Sequence, residues 1–336
     1  MFTFGKHACS QLATSPAAAR VYFLTRFASE SEREEDDIVS VVPNDAILGA
    51  TVLDLDLARD MTGREFGVVL DALGRYGVLR IPGQEIDAAA LKRFSGRFGG
   101  LEVNVANTFQ EPGHPEVMIL SNMVVDGRPV GLSDAGQDWH TDMSYSREIA
   151  FANVLHGIRI PRRNGVPLGG TEFANMYAAY DDLPAEIKAR LDGATALHDF
   201  NKFWEEMRRR PGSTRQPLTA EQRRHKPPVS HPTVLVHPVT GRRVLYANPG
   251  YVVRINELPA QESDEMLRFL FEHQVQPKYR HMHRWTENDV LIWDDICTVH
   301  NAWPDYGPDE HRLIKRCQVM ADRVFDPDFA RLACAA

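Results

Sequence analysis

Apolar positions along the chain repeat with two periods. Phe66, Val69, Leu70 and Leu73 follow at i, i+3, i+4 and i+7, which predicts an amphipathic helix. Thr62 and Glu65 just ahead of them have the spacing of a capping box. Asp87 is placed to cap a second helix with Leu91, Phe94 and Phe98 on one face. The shorter period dominates elsewhere. "IVSVVPNDAILGATVLDLDL" (38–57) mixes β-branched and turn residues and predicts paired strands. "YGVLRIPGQ" predicts a short buried strand that stops at Pro82-Gly83. From Val117 onward come "EVMILSNMVV", "FANVLHGIRI", "PTVLVHPVTGRRVLYAN", "YVVRI", "DVLIWDD" and "LIKRCQVMADRVF", punctuated by Gly, Pro, Asn and Asp. "HPVTGRRVLY" predicts a hairpin around Thr240-Gly241. Two helical patches interrupt, "FANMYAAYDDLPAEIKARL" and "SDEMLRFLFEHQ". Many short strands with few helices predict a mainly β fold, a sandwich or jelly roll with flanking helices.

Two stretches fall outside this pattern. Residues 1–37 begin with an acid-free run rich in Ser, Ala and Arg and end in "ESEREEDD". The run has the composition of a targeting presequence, but the charge block beside it favours a disordered amino-terminal extension. The second stretch, 200–232, is rich in Arg and Pro and shows little apolar periodicity. It is expected to be a long insert, either a solvated loop or a cationic lid over an anionic substrate. One domain is expected over 38–327, with a tail over 328–336.

The formal charge of -8 argues against nucleic acid or an anionic membrane as a partner of the whole surface. No apolar run reaches the roughly 18 residues of a membrane span. The four cysteines, Cys9, Cys297, Cys317 and Cys334, are dispersed and form no C-x-x-C pair. They read as free thiols of a reducing cytoplasm.

Candidate chemistry centres on "DWHTDMSY" (138–145). Side chains at i and i+2 of a strand share a face, so His140 could join either Asp138 or Asp142 at one ion. "VLIWDDICTVHNAW" offers His300 as a third ligand. Two imidazoles and one carboxylate on one face of an octahedron leave three positions open, the arrangement of non-haem Fe(II) oxygenases. H-x-D alone is a weak signal, and the chain carries other such patterns: His114-Pro115-Glu116, which reads as a turn, His281 with His283, and His198-Asp199. Arg312 and Arg316 strengthen the case. Fe(II) with these ligands carries +1, a dianionic 2-oxo acid takes it to -1, and one buried guanidinium restores neutrality. Arginine suits that task because its planar fork pairs bidentately with a carboxylate.

Five stretches in order, "WHTDMSY", "GGTEFANMYAAYDDLP", "HPVTGRRVLYAN", "HRWTENDVLIWDDICTVHNAWPDY" and "RLIKRCQV", make the chain resemble the taurine dioxygenase/TfdA family of Fe(II)- and 2-oxoglutarate-dependent dioxygenases. The resemblance covers roughly Val41 to Val324 and implies a double-stranded β-helix (jelly-roll) core. By family pattern His140, Asp142 and His300 match the iron ligands, which selects Asp142 over Asp138. Thr171 and Arg312 match the residues that hold 2-oxoglutarate, and Arg316 a second arginine beside it. The cofactors implied are Fe(II), 2-oxoglutarate and O2. The reaction implied is hydroxylation of a small organic acid, such as a sulfonate, sulfate ester or aryloxyalkanoate, with release of succinate and CO2. A carboxylate ligand at Asp142 favours hydroxylation over halogenation. Asn104, Tyr145, Tyr246 and Tyr251 are expected to rim the barrel mouth as substrate contacts. A homo-oligomer, dimer or tetramer, is expected from the family. The rival expectation is a jelly roll that binds zinc as a hydrolase or sensor, which would leave Arg312 without a role.

Overall fold

A computed structural model of the chain describes residues 39–103, 108–210, 213 and 215–331. The expected extension over 1–37, Asn104 and the thiols Cys9 and Cys334 lie outside the described residues, as does the tail beyond 331. The helix Gly63–Tyr76 carries the full capping box at Thr62 and Glu65. It ends at Gly77, whose φ of 70° is the left-handed conformation that favours glycine. The helix Ala88–Ser95 starts from the Asp87 cap, and Phe98 packs from the turn that follows rather than from the helix itself.

The large sheet has eight strands. In spatial order they are Ser40–Pro43, Ala50–Leu53, Val78–Ile81, Val290–Asp294, Ala150–Arg159, Leu313–Met320, His114–Ser121 and Gln110–Glu111. His114-Pro115-Glu116, read as a turn, opens a strand instead; the turn falls at Gly113, with φ 81°. A three-stranded sheet of Arg280–His283, Thr171–Asn175 and Thr298–Ala302 forms a second layer. The two layers form the double-stranded β-helix, or jelly roll, expected from the sequence. The expected hairpin forms between Val234–Val236 and Arg243–Leu245, with Gly241 at φ 68°.

Strand Val290–Asp294 is buried on both faces, and its period of two decides the layers. Val290 and Ile292 pack toward the two helices with Phe66, Leu70, Leu91 and Phe94. Leu291 and Trp293 point the other way, into a cluster with Leu155, Phe173, Trp285 and Ile314. Burying each such side chain stabilises by roughly 1.5–3 kcal/mol. The same alternation sends Asn153 and Arg316 inward while Val154 and Cys317 face the helices. The barrel interior is therefore built with polar groups at defined depths.

The stretch 200–232 is not a featureless loop. It holds the helices Phe200–Arg208 and Ala220–His225 and returns as strand Val229–Pro232 beside Thr195–His198. Phe200, Phe203, Trp204 and Met207 have helical spacing, and the Asp199 side chain caps the first helix at Asn201 N–H.

Candidate active site

His140 and His300 meet backbone to backbone. Each N–H donates to the other's carbonyl, at 3.1 and 2.8 Å, in an isolated antiparallel bridge. The segment after His140 is a turn, with Met143 at φ 53°, so His140 and Asp142 do not sit on the regular strand expected from their spacing. They nevertheless converge: His140 Nε2 lies 3.4 Å from Asp142 Oδ1. One donor atom each from His140, Asp142 and His300 fall within 4.8 Å of one another. The imidazole rings are 4.3 Å apart, between Phe203, Tyr251, Phe173 and Trp293.

This donor set fits a divalent metal. His140 Nδ1 donates to the Asp138 carbonyl at 2.7 Å, which fixes the tautomer and leaves Nε2 as a lone-pair donor. Burial, reinforced by the neighbouring His140, pushes the His300 imidazole down to about 3, so it is neutral at working pH. Burial alone would raise the Asp142 carboxyl, but His140 and Arg316 outweigh it and hold the group ionised. Asp138 is no rival ligand. Its carboxylate is exposed and pairs with Arg210, and only its backbone serves the site. The other histidine patterns stay apart: His198 is buried beside His231 and Tyr246, and His283 lies against Trp285. A second cluster, His237, Asp294 and Cys297, is already satisfied internally. His237 Nε2 donates to Asp294 at 2.8 Å, and its Nδ1 accepts from Val239 and Thr240.

Arg312 is only 8% exposed, and no carboxylate pairs with its guanidinium among the described residues. Its Nε has no hydrogen-bond partner. Burial lowers its affinity for its proton. Gly169, at φ 68°, makes room for it: a Cβ there would lie 2.9 Å from Arg312 Nε. Thr171 is two residues on, buried, and its Oγ1 accepts from Trp285 Nε1 at 3.1 Å, so its own O–H remains a free donor. Phe173, two further, is in register with His300. Two strand residues span about 6.6 Å, comparable with an extended five-carbon diacid. Arg316 is engaged differently, donating from Nη1 to Asp142 Oδ2 at 3.2 Å.

Tyr251 lies ring to ring 6.2 Å from His140 and 4.7 Å from Tyr145. Tyr246 does not rim the mouth. It follows the strand Arg243–Leu245 and is buried in the core, its ring 5.9 Å from His198. Sequence reasoning missed Phe203, whose ring lies 5.1 Å from His140 at a tilt; the signal that could have found it is its helical spacing with Phe200 and Met207. It missed Glu102 as well. Burial raises that carboxyl, which feels the charges of Arg316, Lys226 and Asp142. Arg210 pairs with Asp138 and Arg215 with Asp134 at 2.8 Å, fastening the basic insert to the segment that precedes His140.

A family model described as taurine catabolism dioxygenase TauD, TfdA family, matches residues 40–318. A pentalenolactone F synthase from Streptomyces arenae is 31% identical over 84% of this chain and 95% of its own. An alpha-ketoglutarate-dependent 2,4-dichlorophenoxyacetate dioxygenase from Cupriavidus pinatubonensis is 30% identical over 85% of this chain and 100% of its own. Among solved structures, a taurine dioxygenase from Burkholderia xenovorans superposes with a TM-score of 0.68 at 28% identity, covering 84% of this chain and 91% of that one.

Proposed function

The chain belongs to the TauD/TfdA family and is an Fe(II)- and 2-oxoglutarate-dependent dioxygenase, and from this premise we propose how its residues divide the work. His140, Asp142 and His300 hold the iron. Arg312 takes the distal carboxylate of 2-oxoglutarate, assisted by the free O–H of Thr171. Bound iron and O2 supply the oxidising chemistry that couples decarboxylation of 2-oxoglutarate to hydroxylation of a C–H bond.

The chain's own task is orientation and exclusion of water. Arg312 fixes one end of the co-substrate, and Trp285 fixes the Thr171 hydroxyl that meets the same end. Arg316 braces Asp142 and keeps it ionised. Phe203, Tyr251 and Tyr145 shield the ligand face, and the insert that carries Phe203 is tied down through Arg210 and Arg215. The substrate is a small organic acid of the sulfonate, sulfate ester or aryloxyalkanoate class. The aromatic wall supports a member with an apolar skeleton over one as small and polar as taurine. Asn104 remains a candidate contact. We place the enzyme in the cytoplasm as a homo-oligomer; the free buried thiols Cys297 and Cys317 support the first assignment.

The observation that carries this reading is the buried guanidinium of Arg312, which meets Tyr306 but forms no ion pair with a carboxylate among the described residues. A buried charge without a counter-ion is costly, and a zinc hydrolase or sensor has no use for it, whereas a dicarboxylate neutralises it. The test is succinate release from 2-oxoglutarate against a panel of aryloxyacetates, alkyl sulfates, alkyl sulfonates and taurine. Aryl or alkyl acids are expected to drive release above the uncoupled background. A response to taurine alone overturns the preference for an apolar skeleton, and a response to none overturns the substrate class.

A further inference from the structure

The two imidazoles of the proposed metal site are not equally well supported. His140 has its outer nitrogen satisfied by the Asp138 carbonyl. His300 Nδ1 is buried and has no hydrogen-bond partner. A metal-ligating histidine almost always donates that second N–H to a carboxylate, a carbonyl or a water.

A carboxylate 4.0 Å away faces this nitrogen: Asp295 Oδ1. Asp295 is fully buried, and every other contact it makes fixes its position. Its Oδ1 accepts from Trp293 Nε1 at 3.0 Å. Its Oδ2 accepts from Asn153 Nδ2 at 2.7 Å, and the same amide donates to Asp142 Oδ2 at 2.9 Å. Its backbone N–H donates to the Phe151 carbonyl at 2.8 Å, and its carbonyl accepts from Thr141 Oγ1 at 2.5 Å. The neighbouring Asp294 is committed elsewhere, to His237 and to the N–H groups of Ile296 and Cys297. The two adjacent aspartates therefore have separate roles.

We propose that Asp295 is the positioning residue of the metal centre. It accepts the Nδ1–H of His300, aiming the opposite nitrogen at the ion, and through Asn153 it holds the Asp142 carboxylate in register. One buried side chain thus orients two ligands that arrive from distant parts of the sequence. The 4.0 Å separation exceeds a hydrogen bond, and an approach of about 1 Å on metal binding would bring the pair within range. The inference rests on His300 and Asp142 being metal ligands.

The test uses full-length protein loaded with Co(II) in place of iron. Its proton NMR spectrum should show two solvent-exchangeable, metal-shifted imidazole N–H resonances, one for each histidine. Asp295→Ala should lose the His300 resonance to exchange with water, keep that of His140, and bind Co(II) about 10–100-fold more weakly. Asp295→Asn preserves volume and leaves one neutral acceptor. It should retain both resonances with an affinity between those of wild type and alanine, and it serves alone where alanine does not fold. Both resonances with unchanged Co(II) affinity in Asp295→Ala overturn the proposal, as does unchanged affinity in Asp295→Asn. Wild-type protein that binds no Co(II), or binds it no better than His300→Ala, overturns the metal site itself and the role of Asp295 with it.

Discussion

Replacing Arg312 with methionine should separate two effects that usually move together. The side chain is 8% exposed, and its guanidinium meets Tyr306 but pairs with no carboxylate among the described residues. Methionine fills similar space without charge. Removing an uncompensated buried charge should stabilise the co-substrate-free protein, on the order of 1–4 kcal/mol. The same change removes the bidentate partner of the distal carboxylate. Breaking a buried pair from one side costs about 3–5 kcal/mol, or roughly two to four orders of magnitude in Kd. Wild type held at about 100 times its Kd for 2-oxoglutarate gains about 2.7 kcal/mol of stability from the ligand. At the same concentration a hundredfold weaker variant gains only about 0.4 kcal/mol. Chemical unfolding of the Mn(II)-loaded proteins with and without 2-oxoglutarate reads both numbers without turnover. Equal stabilisation of the two proteins by 2-oxoglutarate refutes the assignment of that carboxylate to Arg312. A ligand-free variant less stable than wild type refutes the claim that the guanidinium lacks a counter-ion in the co-substrate-free protein.

Gly250→Ala places a methyl 2.6 Å from His140 Cβ and 3.3 Å from the Trp139 carbonyl, and neither neighbour is a flexible side-chain end. A stability loss of about 1–3 kcal/mol with weaker Co(II) binding is expected, and a titration that matches wild type contradicts the close approach. His198 gives a pH test away from the metal. Burial, with His231 beside it, pushes its imidazole from 6.5 down to about 3. Its neutral form is favoured in the folded state, so stability is full above 6.5 and is lost as pH falls toward 3. Between pH 6.5 and 5 the loss is about 2 kcal/mol. His198→Leu should therefore lose less stability than wild type between pH 7 and pH 5, by about that amount in denaturant titrations. An identical drop in both proteins would show that His198 does not titrate this way.

Local signals read well where a short stretch fixes its own geometry. The capping box at Thr62 and Glu65, the cap at Asp87 and the hairpin at Gly241 each need only a few neighbouring residues. The candidate metal ligands were picked out for a different reason, since the match lay in several ordered stretches. The expected strand geometry at His140 and Asp142 proved to be a bridge followed by a turn. What stayed hidden depends on pairing between distant strands. Asn153 reaches Asp142 and Asp295 because Ala150–Arg159 lies beside Val290–Asp294, with Asn153 opposite Trp293. Nothing local distinguishes Asp294 from Asp295 in "WDD". Phe203 was obscured by the arginines and prolines around it, and Tyr246 reads no differently from Tyr251 until the core closes around it.

Convergence of His140, Asp142 and His300 on one ferrous ion is tested most directly by visible absorption under anaerobic conditions, after addition of Fe(II) and 2-oxoglutarate. A weak charge-transfer band is expected for wild type and for Asp138→Ala, with none for His300→Ala. A band that survives in His300→Ala, or vanishes in Asp138→Ala, contradicts that ligand set.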